Sequence, residues 1–137
     1  RYFSDSSIAT AALGLGPEDL MNDVRAYGWY FETMAVRDLR VYAESFDAKV
    51  YHYRDRRKLE CDCVITTRDG RYALIEIKLG GERLIEAGAD RLATLHRDLD
   101  VDKMGEPAFM AVLVGVGKYA YRRTDGVLVI PIGCLKD

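Results

Sequence analysis

The sequence has 137 residues, of which 49% are hydrophobic and 31% charged, as expected for one globular domain spanning 1–137 with a core of its own. A net charge of −2 argues against binding nucleic acid through overall positive charge, so such binding would need a local basic patch. No apolar run approaches the roughly 20 residues of a membrane-spanning helix, and 3 cysteines suit no disulfide framework. We therefore expect a cytoplasmic protein that does not enter a membrane.

The first third of the sequence predicts helices. Ser6 to Leu13 is expected to form a short helix ended by Gly14, and Pro17 opens a second one because proline is favoured in a first helical turn. Apolar residues then recur at helical spacing: Leu20, Val24, Tyr27, Phe31, Ala35, Leu39 and Tyr42. Gly28 is where we expect this long segment to bend or divide.

The middle of the sequence has the character of strands. Val50–Arg54 leads through a charged turn into Leu59–Thr66, and Arg68-Asp69-Gly70 leads from there into Tyr72–Leu79. Short β-rich runs separated by turn residues predict two consecutive hairpins.

The second half returns to a helix and then to strands. A helix is expected from Glu82 to Leu99, followed by Phe109–Val116, an apolar run typical of a strand covered on both faces. The chain ends in a predicted hairpin of Tyr119–Arg122 and Val127–Ile132, and Pro131 marks its last strand as an edge. Helices alternating with strands in this way predict an α/β fold, a sheet with helices packed on its faces.

Charged residues inside the two middle strands stand out. Side chains alternate faces along a strand, so Glu76 and Lys78 share one face, and Asp62 on the preceding strand is expected to point away from Cys61 and Cys63. Charges among apolar strands are costly unless they are paired or bind a metal. Two carboxylates and a lysine can hold a hard cation and orient a water. The alternative is an ion pair on a solvated face of the sheet.

An acid on a helix, an aspartate on a strand and Glu-x-Lys on the next strand form a pattern that resembles PD-(D/E)XK phosphodiesterases, including the Holliday-junction resolvase-like members. Glu32 matches the helix acid, Asp62 the strand aspartate, and Glu76-Ile77-Lys78 the last element. The resemblance implies a restriction-endonuclease-like core, in which a central mixed β-sheet is flanked by helices and followed by a C-terminal hairpin.

Segments spread over nearly the whole chain are similar to the C-terminal domain of prokaryotic AAA-type ATPases. They are Gly28-Trp29-Tyr30-Phe31-Glu32, Tyr53-Arg54, Glu60-Cys61-Asp62, Ile75 to Gly81 and Asp125-Gly126-Val127. This resemblance implies an ATP-binding module preceding the domain in a longer chain, which suits a sequence that starts at Arg1 without an initiator methionine. The nucleotide-binding pattern G-x-x-x-x-G-K-[ST] does not occur, so no nucleotide site is expected here.

The resemblance also implies a mechanism. Asp62 and Glu76 would bind Mg²⁺ or Mn²⁺, with the Ile77 backbone carbonyl as a further ligand and Glu32 completing the site directly or through water. Lys78 would position or help deprotonate the attacking water. The implied reaction is metal-dependent hydrolysis of phosphodiester bonds in nucleic acid. The alternative is a catalytically inactive module of the same fold that binds nucleic acid or protein and regulates the attached ATPase.

Two basic segments are candidate nucleic-acid contacts. The first, here called the basic turn, comprises Arg54, Arg56, Arg57 and Lys58. It lies about one strand length from Asp62 and could hold phosphates, although Asp55 interrupts the run and a solvated hairpin is the alternative. The second, Lys118 to Arg123, interleaves tyrosines with cations as single-strand binding surfaces do. An ordinary edge hairpin explains it equally well.

Overall fold

The computed structural model describes residues 6–56 and 58–135. The helices in these ranges are α1 (Ser6–Leu13), α2 (Pro17–Asn22), α3 (Val24–Glu44), α4 (Glu82–Asp98) and α5 (Val101–Met104), with a final 3-10 turn at Ile132–Cys134. The strands are β1 (Lys49–Arg54), β2 (Glu60–Thr66), β3 (Tyr72–Lys78), β4 (Phe109–Val114), β5 (Tyr121–Arg122) and β6 (Leu128–Pro131). Across this part of the chain, no helix combines the length and apolarity needed to cross a membrane.

The long helical segment divides at Asp23, so the prediction that it divides at Gly28 is wrong. The Asp23 carboxylate accepts hydrogen bonds from the backbone N–H groups of Arg25 and Ala26, at 3.1 and 3.0 Å. These bonds satisfy donors that a new helix leaves unpaired, so they fix the start of α3. Gly28 continues within α3, where its weaker helix propensity does not outweigh the packing of the helix.

The sheet is mixed and has the strand order β1-β2-β3-β4-β6-β5. The first three strands form two antiparallel hairpins. β3, β4 and β6 run parallel to one another, and β5 returns antiparallel to β6. This arrangement confirms the predicted α/β fold with its central mixed sheet, its two consecutive hairpins and its C-terminal hairpin.

The last strand is an interior strand, so its prediction as an edge is wrong. β6 lies between β4 and the two-residue β5, which forms the edge. Pro131 is the last residue of β6 and pairs with Val114 of β4, whereas β5 pairs only with Leu128 and Val129. The missing N–H of Pro131 therefore interrupts no pairing with β5, which is why proline is tolerated in an interior strand.

A helix covers each face of the sheet. Buried residues of α3 pack on one face, with Phe31, Ala35, Val36 and Leu39 against Cys63, Ile75, Ile77, Ala111 and Leu113. Buried residues of α4 pack on the other, with Ala89, Leu92 and Leu95 against Leu74, Val112, Val114 and Val129. Gly88 brings α4 closest, because a Cβ there would lie 3.1 Å from a Val112 methyl carbon and 3.6 Å from the Glu76 Cβ. The α4 backbone thus covers the middle of β3.

Several chain ends meet at one edge of the sheet, here called the carboxyl edge. The parallel strands β3, β4 and β6 end there. β1 also ends there and β2 starts there, because β2 is antiparallel to both β1 and β3. Residues 115–120 connect the end of β4 to β5 at the same edge. In open α/β sheets the carboxyl ends of the strands are the usual place for ligands.

Candidate active site

Asp62 lies where β2 separates from β3 at the carboxyl edge. The last paired residues of the two strands are Cys63 and Ile75. Beyond them, the Asp62 Oδ2 accepts a hydrogen bond from the backbone N–H of Ile77 at 2.7 Å. The side chain thus replaces the backbone carbonyl that would accept this bond in a regular sheet. On its other side β2 carries a bulge, since the step from Tyr51 to Tyr53 in β1 corresponds to three positions in β2. The bulge and this hydrogen bond direct the carboxylate toward β3.

The bulge also separates two cysteines that the alternation rule places together. Cys61 belongs to the core layer under α4, whereas Cys63 belongs to the layer under α3. One extra residue shifts the two-residue period of a strand, so the side chains beyond it change faces. Both thiols are buried, but the prediction that they share a face away from Asp62 is wrong.

Lys78 joins the two predicted strand acids. Its Nζ donates to the Glu76 Oε2 at 2.8 Å, to the Asp62 Oδ2 at 3.2 Å and to the Ile77 carbonyl at 2.9 Å. The side chains of Lys78, Asp62 and Glu76 are 17%, 10% and 0% exposed. A solvated ion pair does not describe this group, because hardly any of it meets water. The structure therefore brings Asp62, Glu76 and Lys78 of the predicted catalytic residues into one buried cluster.

Arg91 is a member of this cluster that sequence reasoning missed. Its Nη1 lies 3.4 Å from the Glu76 Oε2 and 3.8 Å from the Glu60 Oε1. It projects from α4 three residues after Gly88, and residues three apart share one side of a helix. The sequence signal for this contact is an arginine one helical turn after Gly88, the glycine at which α4 packs on the sheet.

Glu76 is held in an unusual electrostatic state. Its Oε1 is buried and has no hydrogen-bond partner among the residues that the structure describes. Burial and then the charge of Asp62 raise the pKa of Glu76 to about 7, although Lys78 and Arg91 act in the opposite direction. Burial acts to lower the pKa of Lys78, but the charges of Asp62 and Glu76 raise it above its ordinary value. Perturbed groups with specific charge partners are typical of functional sites.

The oxygen atoms around the Lys78 ammonium come from two acids and one backbone carbonyl. In the described ranges, no three His, Cys, Asp or Glu side chains form a group that could hold a metal. Glu32 lies on α3, which packs on the face opposite α4. The oxygen atoms at the carboxyl edge that could serve as ligands are those of Asp62, the Glu76 Oε1, which has no partner among the described residues, and the Ile77 carbonyl, which accepts a hydrogen bond from Lys78. Hard cations such as Mg²⁺ and Mn²⁺ prefer such oxygen ligands.

The basic turn lies at the carboxyl edge, beside the start of β2. Arg54, Arg56 and Lys58 are exposed, and Arg57 lies outside the described residues. The Arg54 Nε is 4.0 Å from the Glu60 Oε2, a distance at which an exposed ion pair contributes little. The turn therefore presents positive charge close to the cluster of Asp62, Glu76 and Lys78.

The three cysteines are expected to differ sharply in reactivity. Burial is the main cause that raises the pKa of Cys61 to about 12 and that of Cys63 above its ordinary value, whereas Cys134 is exposed. Because the thiolate is the reactive form, a disulfide reagent should modify Cys134 alone in the native protein and all three thiols after denaturation. A Cys134→Ser variant should show no fast thiol. Two fast thiols in the native parent protein would contradict the burial described above.

Comparisons with known proteins give one family. The sequence model of a family described as Domain of unknown function (DUF4143) matches residues 27–135, a range that includes Glu32, Asp62, Glu76 and Lys78. A search of curated proteins and a search of solved structures each found no match.

Proposed function

We propose that this chain, which belongs to the family of the domain of unknown function DUF4143, hydrolyses phosphodiester bonds in nucleic acid. The reaction would take place at Asp62, Glu76 and Lys78 and would depend on a divalent cation. The observation that carries the proposal is the buried Glu76 carboxylate, whose Oε1 lacks a partner in the described structure. A buried carboxyl oxygen without a hydrogen-bond partner is costly. A divalent cation that the Glu76 carboxyl group helps to hold would remove that cost.

Each residue of the cluster has a role in the proposed reaction. Asp62, Glu76 and the Ile77 carbonyl would hold Mg²⁺ or Mn²⁺, which when bound supplies Lewis acidity and lowers the pKa of a coordinated water. Lys78 has a raised pKa and is protonated at neutral pH, so it orients the attacking water and balances the charge that develops on the phosphate. General-base catalysis by Lys78 would need the opposite shift. Arg91, whose side chain is 43% exposed, is placed to contact a phosphate oxygen.

The attached ATPase belongs to the proposal as well. Domains of this family are found in AAA-ATPase-associated proteins, in line with the resemblance to a C-terminal domain that follows an ATP-binding module. In such a protein, a nuclease domain would act on nucleic acid that the ATPase moves or remodels.

A second candidate is a catalytically inactive module that binds nucleic acid or protein and regulates the attached ATPase. It is favoured by the ion pairs that Lys78 and Arg91 already form with Glu76. It is also favoured because the described residues contain no group of three His, Cys, Asp or Glu side chains that could hold a metal. In that case the buried ion cluster only fixes the end of β3, since folds of this kind can be kept after catalysis is lost.

A Mn²⁺ titration followed by melting temperature tests the cation site. Binding to the folded state alone should stabilise the protein by about 2.7 kcal/mol when Mn²⁺ reaches 100 times its dissociation constant. Glu76→Gln should abolish the shift because it removes the charge of the buried ligand. Glu86→Gln, an exposed position on α4, should keep it. No shift for the parent protein, or an equal shift for Glu76→Gln, would sink the metal site.

Cleavage assays then separate the two candidates. The parent protein is incubated with labelled single strands, duplexes and branched DNA or RNA, with Mn²⁺, Mg²⁺ or EDTA. Cleavage that needs a divalent cation supports the enzyme. Binding of these substrates without cleavage under every condition supports the inactive module and contradicts the proposed hydrolysis.

A further inference from the structure

An exposed aromatic and cationic segment lies at the carboxyl edge, apart from the cluster of acids. We call Lys118–Arg122 the aromatic segment. The tyrosines Tyr119 and Tyr121 are 70% and 43% exposed, and their ring centroids are 6.2 Å apart with planes inclined at 61°. The two exposed rings are neighbours, so together they offer an aromatic surface to a ligand.

Contacts with β6 anchor the backbone on both sides of Tyr119. Tyr121 pairs with Val129 of β6. A Cβ at Gly117 would lie 2.6 Å from the Pro131 Cγ, so the chain just before the aromatic segment packs directly on the end of β6. The chain is therefore anchored just before and just after Tyr119, which reduces the ordering of this segment that ligand binding requires.

The charges of the aromatic segment are positive and available. Lys118 and Arg122 are exposed, whereas the neighbouring Arg123 is engaged with Asp125 at 3.0 Å. Two cations beside two aromatic rings combine phosphate attraction with stacking surfaces. This is the pairing of features that binds single-stranded nucleic acid without sequence preference.

The strand order places the candidate active site between the aromatic segment and the basic turn. β5 is three strands from β3 and β1 is two strands away on the opposite side, or about 14 Å and about 10 Å at the usual strand spacing. Lys78 ends β3 between them. A chain of phosphates that follows the carboxyl edge from one basic segment to the other would therefore cross the site.

We infer that the carboxyl edge is a track for single-stranded nucleic acid. Two bases stack on Tyr119 and Tyr121, and the backbone then passes Lys78 toward the basic turn. A duplex keeps its base faces covered, so it cannot use the tyrosines, and a net charge of −2 gives little attraction to its phosphates alone. The inference rests on the proposed function, because it names the form of nucleic acid that the site would take.

Fluorescence anisotropy with labelled oligonucleotides of about 20 nucleotides, in EDTA and low salt, tests the track without requiring cleavage. The parent protein should bind single strands at least about fivefold tighter than the matching duplex. The Tyr119→Ala/Tyr121→Ala variant should bind them at least about tenfold more weakly. Tyr51→Ala removes a tyrosine that is 52% exposed in β1, and it should stay within about twofold of the parent. Comparing DNA with RNA strands identifies which of the two is preferred.

The outcomes of this experiment and of the cleavage assay can be told apart. Equal losses for the double variant and for Tyr51→Ala, tighter binding of duplex, or no binding of any oligonucleotide would overturn the track. The last result would leave the tyrosines as a protein-docking surface. If single strands bind as expected and are never cleaved, the track stands and the proposed hydrolysis fails. If the parent and the double variant cleave single strands equally, hydrolysis stands and the track fails.

Discussion

Asp62→Asn is expected to lower the rate of Mn²⁺-dependent cleavage by at least about 100-fold, as losses of a charged group at the reacting centre do. The substitution keeps the side chain's volume and an oxygen that can accept the Ile77 N–H, so β2 and β3 can separate as before. It removes a negative charge that the cation needs. The measurement is the initial rate on a labelled single strand at saturating Mn²⁺.

The matched control for this variant is Asp69→Asn. Asp69 lies in the exposed turn between β2 and β3 and pairs with Arg71 at 2.7 Å, remote from Lys78. Its replacement should change the rate by less than about threefold, since exposed pairs contribute little. A folded Asp62→Asn protein that cleaves as fast as Asp69→Asn would remove Asp62 from the active site. Circular dichroism and melting curves establish that both variants fold.

Lys78→Met is expected to lower the free energy of unfolding by about 3–5 kcal/mol near pH 8, which is the usual cost of removing one partner from a buried ion pair. The methionine fills a similar volume, but it leaves Glu76 and Asp62 facing each other with Arg91 as the nearest cation on Glu76. Urea denaturation in EDTA measures the loss. Near pH 8 the stabilisation by Lys78 is fully present in the parent protein, because a raised lysine pKa removes it only at more alkaline pH.

The decrease in unfolding free energy caused by Lys78→Met should be smaller near pH 5. The pKa of Glu76 is about 7 in the folded protein against an ordinary 4.5, so between these values the folded state binds more protons than the unfolded state. Stability therefore falls as pH rises through this window and levels off above it. Removing Lys78 raises the pKa of Glu76 further, so the free energy of unfolding of the variant continues to fall at higher pH. At acidic pH the carboxyl group is protonated and needs less compensation.

Lys103→Met provides the control for charge removal. Lys103 pairs with Asp100 at 2.9 Å, but its side chain is exposed, so the loss should stay below about 1 kcal/mol at either pH. If Lys78→Met costs no more than Lys103→Met, or if its effect does not change between acidic and alkaline pH, the electrostatic account of the cluster is wrong.

Much of the fold and three of the site residues could be predicted from local sequence. The helical spacing from Leu20 to Tyr42 and the β-rich runs of the middle third identified their elements, because one face or one stripe of each must be buried. The Glu76-Ile77-Lys78 pattern could be located in the same way. Two charged residues separated by a single residue share a face of any regular strand, whatever the strand packs against.

Other features depended on partners distant in the chain. Alternation along β2 predicts the faces of Cys61 and Cys63 only for a regular strand, and the bulge arises from the mismatch with β1. Whether Pro131 ends an edge or an interior strand depends on how far β5 extends beside it. The residues of β6 do not indicate how long β5 is or which strands pair with β6.

Local sequence was enough to predict most of the elements and to place Asp62, Glu76 and Lys78 on adjacent strands, since periodicity and turn chemistry act over a few residues. Tertiary packing buries the cluster beneath α4, brings Arg91 into contact with Glu76 and puts Glu32 on the helix of the opposite face. The physical reason is that burial and charge pairing depend on which surfaces meet. That outcome is set jointly by the whole chain, because apolar area must be covered and buried charges must find partners.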